Sequence, residues 1–307
     1  MDDLYEGTYP KGARDKTAYF SPKQPEHSFI KPDHRYLLKE SRKGAPWQFW
    51  MEIIAYRIGD VLGIEVPPTY IGMSSRDGTG PVIGSLIEWF YGDQDVYVDG
   101  SKLIGPLIEN FDYQTGEQHN LQTNLKIIGA KPNHVKQFQK KLLGYWARIL
   151  AFDTILGNTD RHQENWGLVF QPKENPGQFD IIFSPAFDNG SALDYGVPER
   201  RFEEFPSSDY AQKYLHNGKH HMKWSLEDQK NLNFFEFMKR FVSEYPSTKQ
   251  MVEELLQFQR EDLEKRLNPL LDIEVLEKFR LTPSRLRFTI DMIFRRVNLL
   301  KEALGTK

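Results

Sequence analysis

The sequence contains no cysteine among its 307 residues. This absence excludes disulfide scaffolds, thiol catalysis and zinc or iron–sulfur sites held by cysteine, and it fits a reducing compartment. Long hydrophobic runs are also missing, because no stretch reaches the roughly 18 consecutive apolar residues of a membrane-spanning helix. The first residues, Met1 to Glu6, are acidic and lack the apolar segment of a secretory signal. We therefore expect a soluble, cytoplasmic protein with no membrane partner.

An excess of positive charge is lacking too. The chain has 40 Lys and Arg against 43 Asp and Glu, which gives a formal net charge of -3. Nucleic-acid-binding domains typically have a pI above about 9, so we expect no direct binding of nucleic acid. Aromatic residues make up 13% of the chain, which excludes an intrinsically disordered protein. The length allows two domains or two lobes.

The first 90 residues show the patterns of short strands around one helix. A strand is predicted at Tyr36–Glu40, and a helix from Trp47 to Leu62 with Gly63 as its stop signal. Two further strands, at residues 66–72 and 82–90, are separated by a loop that predicts a hairpin.

The rest of the chain is mainly helical in pattern. Residues 91–134 look loop-rich, Val135–Leu156 carries a long apolar stripe, and residues 166–183 form a predicted hairpin. Thr282 followed by Pro283 predicts the start of the last helix. The sequence therefore predicts an α+β protein with a small β-rich lobe, residues 1–90, and a larger helical lobe, residues 91–307.

Two polar clusters flank the second predicted hairpin. Residues 157–165 include Asp160 and Asn165, and residues 184–191 include Asp188. Phosphoryl transfer needs a group that orients the attacking hydroxyl and hard oxygen ligands for Mg²⁺. Asp160 suits the first task, whereas Asn165 and Asp188 suit the second.

The run from Asn158 to Asn165, NTDRHQEN, resembles the N-x-D-x-H-x-x-N signature of HipA-like serine/threonine protein kinases. The run 186–190, AFDNG, resembles the counterpart of the protein-kinase D-F-G motif. The resemblance covers roughly residues 10–195 and implies a two-lobed, protein-kinase-like fold that uses ATP and Mg²⁺. It assigns Asp160 as the catalytic base and Asn165 and Asp188 as metal ligands. The chain looks like the shorter, HipT- and CtkA-like members, which lack an extra N-terminal subdomain.

The same resemblance implies an ATP site in the first lobe. Lys39 would contact the phosphates, with Lys31 as the runner-up, and Glu52 would pair with that lysine. No glycine-rich phosphate signature is present, so the phosphate loop is assigned by position to residues 7–17. The remaining ATP-binding residues that we expect are Gly12, Arg14 and Lys16 in this loop, the hinge residues Glu88, Trp89 and Phe90, and His162.

Several residues near these motifs have two readings. His162 either acts at the ATP site, as a metal ligand or base, or braces the loop as a buried imidazole that hydrogen-bonds backbone. Arg161 either orients a phosphate or carboxylate or has a structural role. Asp153, on the apolar stripe of its helix, is interpreted as a brace for the Asn158–His162 loop, because an unpaired buried charge is costly. The remaining histidine tract is interpreted as a surface loop rather than a metal site: His216, His220 and His221.

The favoured function is thus a kinase acting on Ser or Thr of a protein and capable of autophosphorylation. The resemblance points to toxin–antitoxin biology, with a translation component such as an aminoacyl-tRNA synthetase as substrate and a small antitoxin or regulator as partner. Alternatives are an effector kinase secreted into a host cell, a phosphatidylinositol-type lipid kinase, and a non-catalytic binding module.

Overall fold

A four-stranded antiparallel sheet forms the first part of the computed structural model, which describes residues 15–76, 80–127, 135–205 and 209–306. Its strands lie in the order β1-β2-β4-β3. They are β1 (Lys16–Phe20), β2 (Arg35–Glu40), β3 (Thr69–Arg76) and β4 (Gly80–Glu88). In this register Lys16 lies opposite Lys39, so two lysines come together at one end of the sheet.

One long helix, α1 (Phe49–Leu62), packs against this sheet. It ends at Gly63, which adopts the left-handed conformation with a φ of 62° that favours glycine. The other end is tied to distant parts of the chain. The Trp47 indole N–H donates to Tyr195 O at 2.9 Å, and that of Trp50 donates to Phe279 O at 2.7 Å. These bonds fix α1 relative to the helical part.

The second part is mainly helical and contains a three-stranded antiparallel sheet of order β5-β6-β7. Its strands are β5 (Val96–Asp99), β6 (Gly167–Pro172) and β7 (Phe179–Phe183). The α-helices described here are α2 (Gly100–Ile104), α3 (Leu121–Asn124), α4 (Val135–Leu156), α5 (Asp209–Asn217), α6 (Phe234–Glu244), α7 (Lys249–Leu255), α8 (Arg260–Leu267) and α9 (Pro283–Leu304). None of them is both long and apolar enough to span a membrane.

The turn after α4 is fixed by close packing against α9. Gly157 has a φ of 66°, and the Arg296 guanidinium occupies the space where a Cβ would stand. Arg296 in turn pairs with the buried Asp194, its Nη1 lying 2.9 Å from Oδ2. The chain therefore leaves α4 at a defined angle and enters the loop that carries Asp160.

The predicted fold class is confirmed: a small β-rich part is followed by a larger, mainly helical one. Two strands were missed by the sequence patterns. Lys16 was placed in a phosphate loop, but it begins β1, and β5 lies in the segment interpreted as loop-rich. Both strands are short, and β5 pairs with β6, which lies far along the chain. Local periodicity therefore does not reveal them.

Candidate active site

A buried ion network joins the two parts of the fold. The Lys39 ammonium on β2 donates to Glu52 Oε1 on α1 at 2.8 Å, and it also donates to Asp188 Oδ1. The side chains of Lys39 and Glu52 are each 3% exposed. Glu52 Oε2 accepts a hydrogen bond from the Asn189 backbone N–H at 2.8 Å. Each charge is thus compensated, as a buried charge requires.

Asp188 sits in a tightly specified turn. Its φ is 58°, in the left-handed region. The side-chain amide of the next residue, Asn189, donates to Ala186 O at 2.7 Å. The second oxygen, Oδ2, lies 3.8 Å from the Lys16 ammonium. Two lysines directly opposite each other on neighbouring strands repel. The Asp188 carboxylate lies between Lys16 and Lys39 and offsets that repulsion.

Arg161 and Asp153 form a buried pair beneath the loop that follows α4. Arg161 donates from Nε to Asp153 Oδ2 at 3.1 Å and from Nη2 to Oδ1 at 2.8 Å. The Asn158 amide donates to the same carboxylate at 3.0 Å. Burial by itself would lower the pKa of Arg161, but the Asp153 carboxylate outweighs it and the pKa is raised. The predicted role of Asp153 as a brace is confirmed.

The same guanidinium ties the two polar clusters together. Arg161 Nη2 donates to Asn189 Oδ1 at 2.9 Å, while Nη1 donates to Asn165 O at 3.2 Å and to Phe187 O. Its side chain is 1% exposed. Its Nε, Nη1 and Nη2 atoms all donate to protein oxygens and the side chain is almost fully buried, which favours the structural interpretation of Arg161.

Asp160 presents a carboxylate that is held only through its backbone. Its N–H donates to Asn158 Oδ1 at 3.0 Å, and its C=O accepts from the Asn165 amide at 2.8 Å. Within the described residues, the half-buried carboxylate itself makes no hydrogen bond or ion pair. Such a group is fixed in place yet free to accept a proton from an incoming hydroxyl.

The oxygen donors near this carboxylate fit a magnesium ion. The Asn165 Nδ2 donates to Asp160 O, and no described residue donates to its Oδ1. Asp188 offers a carboxylate in the neighbouring loop. The described ranges contain no cluster of three His, Asp or Glu side chains able to hold a metal. Mg²⁺ is commonly bound by one or two protein oxygens plus phosphate and water, so this small donor set suits it.

The predicted hinge makes internal hydrogen bonds that leave one peptide group open. The Glu88 N–H donates to Pro68 O at 2.8 Å, and the Trp89 N–H donates to Arg35 O at 3.0 Å. The Trp89 C=O lies 3.0 Å from His34 Nε2. The Phe90 N–H donates to no described oxygen. Of these N–H groups, that of Phe90 is therefore the one available to a nucleobase.

The two lysines considered for the ATP phosphates, Lys31 and Lys39, lie in different places. The Lys31 ammonium, in a side chain that is 59% exposed, pairs with Glu88 Oε1 at 2.6 Å. It therefore lies at the hinge, whereas Lys39 lies at Asp188. The Phe90 ring stacks on that of Phe187 at a centroid distance of 5.2 Å. Gly12 and Arg14, assigned to the phosphate loop, lie outside the described residues.

The histidine tract was predicted as a surface loop, and for two of its members this is wrong. His220 is 1% exposed, and its ring packs against Phe234 and Phe237 at 4.7 and 4.9 Å. His221 turns towards the catalytic loop, with its ring 5.8 Å from that of His162. Only His216 is at the surface. The segment is drawn inwards because its backbone pairs with residues around His119 and Asn233, which local sequence does not reveal.

Burial keeps His220 neutral and makes stability depend on pH. Burial lowers its pKa from 6.5 to about 3, whereas the unfolded chain titrates near the ordinary value. Because the unfolded state binds more protons below about pH 6.5, the free energy of unfolding falls as pH falls.

We expect His220 to contribute a loss of about 1.4 kcal/mol between about pH 7.5 and 5.5. Urea titrations at the two pH values measure this loss. His220→Leu should reduce the pH dependence by that amount, whereas His216→Leu, at the surface, should not. An equal pH dependence in wild type and His220→Leu would contradict the assignment.

His162 supports the loop with one ring nitrogen. Its Nδ1 lies 3.2 Å from the Glu164 backbone nitrogen, whose N–H donates to it. Burial lowers the pKa of His162, and the Asp160 charge opposes this. A neutral ring that accepts at Nδ1 carries its proton on Nε2, so the brace and a donor function are compatible in one side chain.

Comparisons with known proteins concern the fold and the family of the chain. A search of curated protein sequences found no match. The Helicobacter pylori proinflammatory kinase CtkA shares the fold with a TM-score of 0.72, at 18% sequence identity, over 99% of this chain and 96% of that one. HipA of Shewanella oneidensis MR-1, in a complex with HipB and operator DNA, gives a TM-score of 0.48 at 11% identity, over 99% of this chain and 69% of that one.

The sequence itself matches a family model over most of its length. The model is that of the HipA-like C-terminal domain, and it covers residues 8–264, which include both polar clusters and the Lys39 strand. This family and the shared fold support kinase activity in general terms. The chain therefore belongs to the HipA-like C-terminal domain family.

Proposed function

We propose that this protein is an ATP- and Mg²⁺-dependent kinase that phosphorylates Ser or Thr hydroxyls of proteins. The observation that carries the proposal is the buried network of Lys39, Glu52 and Asp188, because it unites a phosphate-binding lysine, its carboxylate partner and a metal-ligating aspartate. Arg161 connects this network to the loop of Asp160. Both centres thus keep a fixed geometry, which phosphoryl transfer requires.

Each residue has a separate task in this proposal. Lys39 holds the phosphates and is itself held by Glu52, while the Phe90 N–H meets the nucleobase. Asp160 accepts the proton of the attacking hydroxyl. Asn165 and Asp188 hold the Mg²⁺, which when bound neutralises charge on the phosphates. We place the boundary between the lobes of residues 1–90 and 91–307 at the hinge.

Two kinds of acceptor, a protein and an inositol lipid, are compatible with the catalytic motif. The family resemblance supports a protein acceptor and a toxin–antitoxin setting with a small protein regulator. The motif D-R-H-x-x-N also resembles that of phosphatidylinositol kinases. However, residues 194–205 carry mixed charges rather than a basic cluster suited to an inositol phosphate, and this favours the protein acceptor.

Labelled ATP distinguishes the candidate functions directly. The protein is incubated with [γ-³²P]ATP and Mg²⁺, and with either a degenerate peptide library centred on Ser or Thr, or phosphatidylinositol vesicles. We expect label on the peptides and on the protein itself. Label confined to the vesicles would establish the lipid kinase, and failure to bind ATP with Mg²⁺ would favour the non-catalytic module.

Lys16 is expected to couple nucleotide binding to metal binding. In the described structure its ammonium shares the Asp188 carboxylate with Lys39, so a metal must compete with two cations. Phosphates would give both lysines new partners and leave Asp188 to the metal. We expect Lys16→Gln to bind Mn²⁺ several-fold more tightly than wild type without nucleotide, and ATP more weakly.

Mn²⁺ binding is measured by electron paramagnetic resonance with and without ADP. Lys23→Gln, which changes an exposed lysine of the same part of the chain, serves as the control. Unaltered Mn²⁺ affinity in Lys16→Gln would show that the ammonium does not compete for Asp188.

A further inference from the structure

The segment that follows α5 places a second histidine beside the candidate catalytic loop. The rings of His221 and His162 meet edge to face, with an interplanar angle of 67°. The position of His221 is fixed by its surroundings: the Asn231 amide donates to its C=O at 2.7 Å, and the Lys223 N–H two residues later donates to His119 O at 2.9 Å. The backbone that carries the imidazole is therefore held in place at His221 and just after it.

The carboxylate of Asp160 lies close enough to act on both histidines. Burial lowers the pKa of His162, and the carboxylates of both Asp160 and Asp188 oppose this. Burial also lowers the pKa of His221, but here Asp160 is the opposing charge. His162 thus lies near both carboxylates, whereas His221, whose ring contacts that of His162, lies nearer Asp160.

An acceptor must reach the site from the side of Asp160. The nucleotide phosphates are expected at Lys39 and Asp188, so the attacking hydroxyl reaches Asp160 from the opposite direction, because attacking and leaving oxygens stand roughly in line. His221 lies where that acceptor approaches.

Packing alone does not account for a histidine at this position. The Nδ1 of His221 is buried and has no hydrogen-bond partner among the described residues. An unpaired buried polar atom costs free energy and calls for an explanation, whereas phenylalanine would fill the same space without that cost. His221 as a whole is only half-buried, and Nε2 is not among its buried unpaired atoms.

We propose that His221 belongs to the acceptor side of the site, where Nε2 of its imidazole hydrogen-bonds the polypeptide that carries the hydroxyl. The inference rests on the proposed kinase function and names a residue that selects its acceptor. Asp160 remains the base: the hydroxyl proton moves to its carboxylate as the oxygen bonds to the γ-phosphorus, and the bond to ADP breaks with its electron pair on ADP. His221 neither gains nor loses a proton.

His221→Phe separates this role from a structural one. Three quantities are measured: the KM for ATP, the rate of ATP hydrolysis to water, and the rate of transfer to the degenerate Ser/Thr peptide library. We expect the ratio of peptide transfer to hydrolysis to fall roughly tenfold, since a misplaced acceptor loses rate steeply. The KM for ATP should not change, and the melting temperature should not fall. His221→Asn, which restores a hydrogen-bonding group, should recover part of the ratio.

His216→Phe is the matched control, since it replaces an exposed histidine five residues earlier and should preserve the ratio. A wild-type ratio in His221→Phe would overturn the inference, and so would a several-fold rise in its KM for ATP. Failure of the proposed function would look different, because the wild-type protein itself would then transfer no label to any acceptor.

Discussion

Asp160→Asn is expected to abolish most phosphoryl transfer while leaving the fold intact. The carboxylate makes no described hydrogen bond or ion pair, and the contacts that hold the residue involve its backbone N–H and C=O. An amide keeps these contacts but cannot accept the proton of the hydroxyl. General-base catalysis contributes about 10²- to 10⁴-fold, so we expect a loss of that size in kcat with little change in the KM for ATP.

Transfer from labelled ATP and the melting temperature are measured side by side. Asp180→Asn, at an exposed site in β7, should keep wild-type values of both. Asp188→Asn should also lose transfer, but it removes the anion shared by Lys39 and Lys16 and should therefore weaken metal binding as well. If Asp160→Asn retained wild-type transfer, Asp160 would not be the base.

Asp153→Ala is expected to lower the free energy of unfolding more than any single surface change. It leaves the guanidinium of Arg161 buried without its partner and also removes the acceptor of the Asn158 amide. Loss of one member of a buried ion pair costs about 3–5 kcal/mol, which is a large share of the roughly 5–15 kcal/mol by which domains are stable. Urea denaturation measures the change.

A double variant distinguishes the stability of the pair from its role in the site. Asp153→Leu with Arg161→Met replaces both charges by apolar groups and should recover most of the lost stability. It should not recover phosphoryl transfer, because it removes the guanidinium that donates to both Asn165 O and Phe187 O. Asp93→Ala breaks an ion pair in which Asp93 is 82% exposed and should cost less than about 1 kcal/mol. Full activity in the double variant would show that Arg161 does not position the loops.

Local sequence identified the elements whose signals are local. The apolar stripe of α4 predicted the same bounds, Val135 to Leu156, that the structure shows. Gly63 ends α1 as predicted, since a left-handed C-terminal residue favours glycine. Strands β1 and β5 escaped prediction because a short strand is defined by its partners: Lys16 pairs with Lys39 and Val96 with Phe170.

In the candidate site, too, local signals were predicted from the sequence and contacts between distant segments were not. Asp160, Asn165 and Asp188 stand in short polar runs whose residue types suit phosphoryl transfer and whose motifs resemble those of HipA-like kinases, and Asp153 was identified because a charge on an apolar stripe needs a partner. The bonds of Arg161 to the Asp188 loop and the contact of Lys16 with Asp188 join residues that are far apart in the sequence. The spacing of residues along the sequence does not predict such long-range contacts.

The sequence by itself indicated a chemistry for this protein: the chain has no cysteine, its oxygen-rich loops suit phosphate and magnesium, and the family resemblance predicted a lysine paired with a glutamate. Only the tertiary structure decided which groups face one another. It placed His220 in the core and His221 beside the catalytic loop, where the sequence suggested a surface tract. The physical reason is that burial and backbone pairing with distant segments, rather than the polarity of a short run, decide where a loop lies.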